Sequence, residues 1–191
     1  MTDTSSTSLP TVIVLASGRG ERFKAAGGAG HKLHAPLVGA TVLEHTLSAV
    51  RASGLPWHLE DVGHPGMGDS IAAAVRATAQ ARGWLILPAD LPLVRPGTLQ
   101  AVAQALQGEV KAAQPSYLGT RGHPVGFAAS CGPELAALSG NQGAAPVLRA
   151  LREAGKVAEL DVDDVGVVTD IDTPEELARA EALMRERLSR G

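Results

Sequence analysis

Residues 12–32 read VIVLASGRGERFKAAGGAGHK, and the fold is decided by how this stretch changes character along its length. Residues 12–15 form a short, β-branched apolar run suited to a strand buried on both faces. The run breaks at Ala16-Ser17-Gly18-Arg19-Gly20, where Arg19 is the only side chain larger than Ser. A strand, a small-residue turn and a short helix in succession present backbone N–H groups and a helix N-terminus to an anion. Arg19, Arg22 and, beyond the glycines at 27, 28 and 30, Lys32 add cations able to reach the same phosphates. The expected element is a loop for a nucleoside triphosphate. Two familiar phosphate loops do not fit. No Gly-Lys-Ser/Thr occurs in the chain, which excludes the Walker type. In the dinucleotide pattern G-x-G-x-x-G, Gly18 and Gly20 are followed at the third place by Phe23, too large for close helix–strand packing.

The totals limit what surrounds this loop. With 191 residues the chain is expected to be one domain over residues 10–191, preceded by a disordered tail. That tail, residues 1–9, is rich in Ser and Thr and lacks the basic and apolar regions of a signal peptide. A net charge of −3 gives no general surface for nucleic acid or membrane, and no apolar run approaches the ~20 residues that span a bilayer. Cys131 is the only cysteine, which excludes an internal disulfide and fits a reducing cytoplasm; it is expected to be a packing residue. Five aromatics leave the core to Ala, Val and Leu and offer few stacking platforms for single-stranded nucleic acid.

Beyond the loop, strand signals alternate with helical ones, which predicts an α/β fold on a mainly parallel sheet. Strands are expected over 56–61, 84–88, 110–114 and 157–162. Helices are expected over 41–53, closed by Gly54, then 71–82 capped by Asp69 or Ser70, 98–107, 134–138, 140–154 and a last one to about 190. Thr173, Pro174 and Glu176 carry the signature of a capping box at that last helix. Asp90 directly follows the hydrophobic strand 84–88, at the carboxyl edge of the sheet where α/β ligands bind. A carboxylate there suits Mg²⁺, which takes oxygen ligands and is usually shared with phosphates. Alternation along Asp170-Ile171-Asp172 places two more carboxylates on one side of the chain. Asp161, Asp163 and Asp164 read as a solvated acidic turn. His123 precedes Pro124, which disfavours helix and holds the histidine extended toward the cleft.

The pattern Leu15-Ala16-Ser17-Gly18-Arg19-Gly20-Glu21-Arg22-Phe23 followed by Lys32-Leu33 resembles the nucleotidyltransferases of the glycosyltransferase-A type. Within them it is most similar to the molybdenum cofactor cytidylyltransferases. Gly66-Met67-Gly68-Asp69-Ser70-Ile71, Ala89-Asp90-Leu91-Pro92, Gly122-His123-Pro124-Val125-Gly126-Phe127 and Asp170-Ile171-Asp172-Thr173-Pro174-Glu175-Glu176-Leu177 resemble phrases of that family in the same order.

The resemblance implies a three-layer α/β/α sandwich with a mostly parallel central sheet. The implied reaction moves a nucleoside monophosphate from an NTP to a phosphorylated acceptor and releases pyrophosphate. CTP is the expected donor and molybdenum-bearing molybdopterin the expected acceptor, with a recipient molybdoenzyme beyond. Leu15, Ala16, Ser17, Gly18, Arg19, Gly20, Lys32, Pro36 and Ser70 would bind nucleotide, with Arg22, Lys32 and Asp90 catalytic. His123, Pro124 and Asn141 would bind acceptor, Asn141 standing where the family commonly has Asp. Asp90, Asp172 and Asp170 would ligate Mg²⁺ in that order of preference. Residues 54–63 are shorter than the family pattern, as if a strand–helix unit were cut down. Guanylyl transfer to the same cofactor, or transfer to another small phosphorylated acceptor, is the nearest alternative. A non-catalytic molybdenum cofactor chaperone is the alternative of another class.

Overall fold

The computed structural model describes residues 9–18 and 20–190. Arg19 and nearly all of the expected tail lie outside the described residues. In chain order the elements are β1 (Thr11–Leu15), α1 (Glu21–Ala25), β2 (Pro36–Leu37), β3 (Ala40–Thr41), α2 (Val42–Ala52), β4 (Trp57–Glu60), α3 (Met67–Ala77) and β5 (Gly83–Pro88). There follow α4 (Pro96–Ala105), β6 (Ala112–Tyr117), β7 (Thr120–Arg121), β8 (Val125–Ala128), α5 (Gly132–Ala136), α6 (Ala145–Glu153), β9 (Val157–Asp161) and α7 (Pro174–Arg190). Tight 3₁₀ turns occur at Lys32–His34, Ala129–Cys131 and Val165–Val168.

The central sheet has seven strands ordered β4-β1-β5-β8-β6, with β7 and β9 also pairing to β6. β1 runs parallel to β4 and β5, and β6 parallel to β9. β8 is antiparallel to β5 and β6, and β7 to β6, so all strands but β7 and β8 share one direction. Alternation along the strands makes the layers. Val12, Val14, Leu85 and Leu87 pack on one face with residues of α2, α4 and α7. Ile13, Trp84 and Ile86 pack on the other with residues of α3, α5 and α6. The result is the expected three-layer sandwich.

Several expectations need correction. The helix expected over 71–82 begins four residues earlier, at Met67, and ends at Ala77. Neither Asp69 nor Ser70 caps it: the cap position is Gly66, without a side-chain bond. A neighbouring loop supplies the partners instead, since Gly68 N donates to Gly140 O (2.7 Å) and Asp69 Oδ2 accepts from Gly140 N (2.9 Å). The acidic turn is also different from its reading. Asp164 is only 1% exposed and accepts from Arg95 N (2.8 Å), Thr98 Oγ1 (2.7 Å) and Gly166 N (3.0 Å). It anchors the start of α4 to the turn at 165–168, a buried structural carboxylate rather than a solvated one. The short segment 54–63 leads into and out of β4, the end strand of the sheet order, so β1 and β5 keep their neighbours. Cys131 is buried as expected, and burial raises its thiol pKa. Among the described residues no helix is long and apolar enough to cross a membrane.

Candidate active site

Connections leave the carboxyl ends of β1 and β4 toward opposite faces: α2 packs on one, α3 on the other. Such a divergence opens a crevice at the strand ends. A cavity of about 920 Å³ lies there, lined from Leu15 and Ser17 across Lys32 and Asp90 to His123 and Asp172.

Its charged centre is assembled from three distant segments. Lys32 begins a 3₁₀ turn capped by His31, whose Nδ1 accepts from Leu33 N (3.3 Å). The opposite ring nitrogen, Nε2, donates to the carbonyl of Gly18 (2.7 Å), so this histidine joins the glycine loop to the lysine. Lys32 Nζ donates to Asp90 Oδ2 and to Asp172 Oδ1, both at 2.6 Å. Arg22 Nη1 reaches the other oxygen of Asp172 at 2.5 Å. Burial alone would lower the Lys32 pKa, but the charges and hydrogen bonds of Asp90 and Asp172 outweigh it and hold the ammonium above the usual lysine value. Ile171 N donates to Asp90 O (3.1 Å), which fastens the two acidic segments together. The expected cap of α7 is present in altered form. Thr173 Oγ1 accepts from Glu176 N (3.2 Å), while the Glu176 carboxylate accepts from Asp172 N (2.8 Å) and so steadies Asp172. Asp170 lines the same cavity; burial raises its pKa, opposed by its own backbone bond and reinforced by Asp90, Asp172 and Glu176.

Asp90 Oδ1 is buried with no hydrogen-bond partner. An orphaned carboxylate oxygen is costly unless something cationic or donating meets it. Among the described residues no group of three or more His, Cys, Asp or Glu is arranged as a metal cage. The unpartnered oxygen of Asp90 and the neighbouring carboxylate of Asp172 are the kind of donors that a hard cation shares with phosphate and water oxygens.

Two rims flank this centre. On one, Ser70 is buried, its Oγ lying 2.8 Å from Ser17 Oγ and donating to Gly66 O (3.2 Å), which ties the glycine loop to α3. The neighbouring glycines are set by packing: a Cβ on Gly66 would lie 2.4 Å from Gly140 O, and one on Gly68 2.7 Å from Ser139 O. On the other rim the pairing of β6 changes register. Ala113 opposes Gly126, but Ser116 opposes Arg121, so two extra residues are accommodated between β7 and β8. His123 and Pro124 occupy this bulge, joined by a cis peptide bond. The bulge is held through its main-chain atoms: Gly122 N donates to Pro115 O (2.8 Å), His123 N to Val167 O (2.9 Å), and Gly122 O accepts from the side-chain amide Nε2 of Gln114 (3.1 Å). His123 Nδ1 is enclosed and unpartnered. Burial lowers the His123 pKa against the opposing effects of Asp90, a backbone bond with Ile86 and Asp170, so the ring favours its neutral form.

A family model described as the MobA-like NTP transferase domain matches residues 12–157. The chain belongs to this family. A curated relative, the purine catabolism protein PucB of Bacillus subtilis (strain 168), is 37% identical over 113 residues, 58% of this chain. The match spans 54% of that protein, so this chain covers about half the length of the relative. The structure of Rv0371c from Mycobacterium tuberculosis superposes with a TM-score of 0.73 at 24% identity, covering 92% of this chain and 98% of that one. Another structure of that protein is described as a complex with manganese. The molybdopterin-guanine dinucleotide biosynthesis protein A of Archaeoglobus fulgidus superposes with a TM-score of 0.60 at 20% identity, covering 92% and 99%. These structural likenesses concern the fold.

In this MobA-like NTP transferase, Leu15, Ser17, Gly18, Gly20, Arg22 and Lys32 all border the one cavity. Ser70, Asp90, His123, Asn141, Asp170 and Asp172 border it too. Three expected site residues are not brought to it. Ala16 N donates to Glu60 O (2.8 Å), joining β1 to β4. Pro36 is exposed because Ala35 and Leu37 on either side turn into the core. Pro124 is buried behind His123. Sequence reasoning missed His31, His64 and Arg121. His31 carries a weak signal, as the side chain just before the key lysine. His64 and Arg121 carry none, because only the sheet order and the bulge bring them to the cavity.

Proposed function

We propose that this NTP transferase moves a nucleoside monophosphate, from CTP by preference, to a phosphorylated acceptor, and that the acceptor is molybdenum-bearing molybdopterin. The observation that carries the reading is Lys32 placed 2.6 Å from both Asp90 and Asp172 beside the Gly18–Gly20 loop, at the mouth of the crevice. A phosphate monoester has a second pKa of ~6, so near neutral pH the acceptor is already an ionised nucleophile and no dedicated base is required. What the site must supply is position and neutralised charge. Backbone N–H groups of the glycine loop would cradle the triphosphate, with Arg22 and Lys32 countering its charge. Asp90 and Asp172 would hold a divalent cation, Mg²⁺ by preference, with Asp170 close by; the unpartnered Asp90 Oδ1 supports this. Bound there, the cation would neutralise charge developing on the transferring phosphoryl group and the leaving pyrophosphate. On the opposite rim His123 would receive the acceptor, the neutral imidazole serving to hydrogen-bond rather than to attract charge, and Asn141, whose side chain lies against Gly66 on the Ser70 rim, would contact the acceptor from across the cavity.

The named relatives leave the donor base open to measurement. One is a purine catabolism protein and another a molybdopterin-guanine dinucleotide biosynthesis protein, so GTP is the competing donor. The test is pyrophosphate release with Mg²⁺, molybdenum cofactor and each of the four NTPs, with Asp90→Asn alongside. Release with CTP, lost in the variant, is the expected result. Release with GTP alone would reverse the base preference. No release with any nucleotide, while the cofactor still binds, would make the protein a cofactor chaperone.

A further inference from the structure

The rim of the cavity under β4 carries a polar pair that phosphate handling does not use. Glu60, the last residue of β4, is 6% exposed, and its backbone carbonyl accepts from Ala16 at the start of the glycine loop. One carboxylate oxygen lies 3.1 Å from His64 Nε2; the other lies 3.5 Å from His58 Nε2. His64 lines the cavity, together with Pro65 and Met67, whereas His58 does not. The sheet order β4-β1-β5 puts the Glu60 end of β4 two strand spacings, about 10 Å, from the carboxyl end of β5, and His64, bonded to Glu60, lines the same cavity as Asp90. That spacing is the reach of a nucleoside whose phosphates sit over Lys32, and it lies in the crevice where the connections of β1 and β4 diverge.

We propose that His64 is a specificity-determining residue that reads an exocyclic amino group on the nucleotide base, favouring cytosine over uracil. The proposal rests on the nucleotidyl-transfer reading above. A carboxylate accepts hydrogen bonds only, so Glu60 fixes the proton of His64 on Nε2. In the neutral ring the remaining nitrogen, Nδ1, is then an acceptor. Cytosine and uracil have the same size and differ along one edge: at position 4 cytosine carries an NH₂ donor and uracil a carbonyl, and at position 3 cytosine has a bare acceptor nitrogen and uracil an N–H. At position 4 an Nδ1 acceptor pairs with the amino group and leaves the carbonyl opposed to another lone pair, an unpaired arrangement that sites of this kind reject strongly. Pro65 and Met67 beside it supply apolar surface for the flat ring.

The experiment is direct binding of CTP and UTP, by calorimetry with Mg²⁺, to the full chain and to His64→Ala and Glu60→Gln. The wild-type protein is expected to bind CTP about tenfold or more tighter than UTP. His64→Ala should weaken CTP and leave UTP nearly unchanged, bringing the two within about twofold of each other. In Glu60→Gln the carboxamide can donate to Nε2, moving the histidine proton to Nδ1, and the preference should shrink or reverse with His64 still present. Equal losses for both nucleotides in His64→Ala, or an unchanged ratio in both variants, would overturn the role of His64 while leaving nucleotide binding intact. Failure of the wild-type protein to bind any NTP would instead overturn the nucleotidyl-transfer reading on which it rests.

Discussion

The charged centre and the far rim of the cavity are held in opposite ways. The centre is a knot of side chains: Lys32 joins Asp90 and Asp172, 58 and 140 positions away in the chain, and Arg22 adds a second cation. The rim at Gly122-His123-Pro124 is held through main-chain atoms, by bonds to Pro115, Gln114 and Val167. A side-chain knot is vulnerable to loss of charge, whereas a main-chain bulge is vulnerable to added volume. The two regions should therefore fail differently.

The largest effect is expected at the centre. Lys32→Met should lower turnover about 10²–10³-fold, on the scale of a lost transition-state donor, in the pyrophosphate-release assay. The same residue sets a pH dependence of stability. Its pKa in the folded chain is held above the ordinary lysine value of 10.5, so its contribution is complete below that pH and is lost as pH rises through the raised value. Thermal unfolding of the wild-type protein should thus fall more steeply above about pH 10.5 than that of Lys32→Met. Equal slopes would show that the lysine pairs add nothing to folding.

Asp164→Asn probes the support of the rim. It puts an amide among donors from Arg95, Thr98 and Gly166 and should cost about 1–3 kcal/mol in chemical denaturation. Because Asp164 anchors the turn whose Val167 carbonyl binds His123 N, acceptor KM should rise more than nucleotide KM. Gly122→Ala tests volume directly, since its Cβ would lie 2.2 Å from Val167 O. A loss of about 1–3 kcal/mol is expected, again with a raised acceptor KM. If nucleotide KM moved instead, the two regions would not be separate in function. Thr41→Ala is the smallest change and the control. It removes one half of a capping box with Glu44, outside the lining of the cavity, at ~1 kcal/mol in melting experiments and with unchanged kinetics.

Legibility followed the range of the interactions. β1, β5 and α7 lie almost where the sequence puts them, because burial period and capping residues act within a few positions. α3 starts early because its first turn is satisfied by residues 139–140, a partner that local signals do not reveal. Asp164 reads as solvated because three consecutive local cues (two neighbouring acids and a turn) point to solvent, while two of its three donors, Arg95 N and Thr98 Oγ1, come from the start of α4.

The sequence by itself determined the α/β alternation, the glycine loop after β1, and the acid at the end of β5. These follow from side-chain period and from residues whose backbone freedom or charge is intrinsic. Only the tertiary structure decided that Lys32 stands between Asp90 and Asp172, and that His123 sits in a two-residue bulge. It also brought His64 to the same cavity and turned Pro36 away from it. Each of those facts depends on how distant segments pack, through strand order for the cavity and through burial of Ala35 and Leu37 for Pro36, rather than on any one segment.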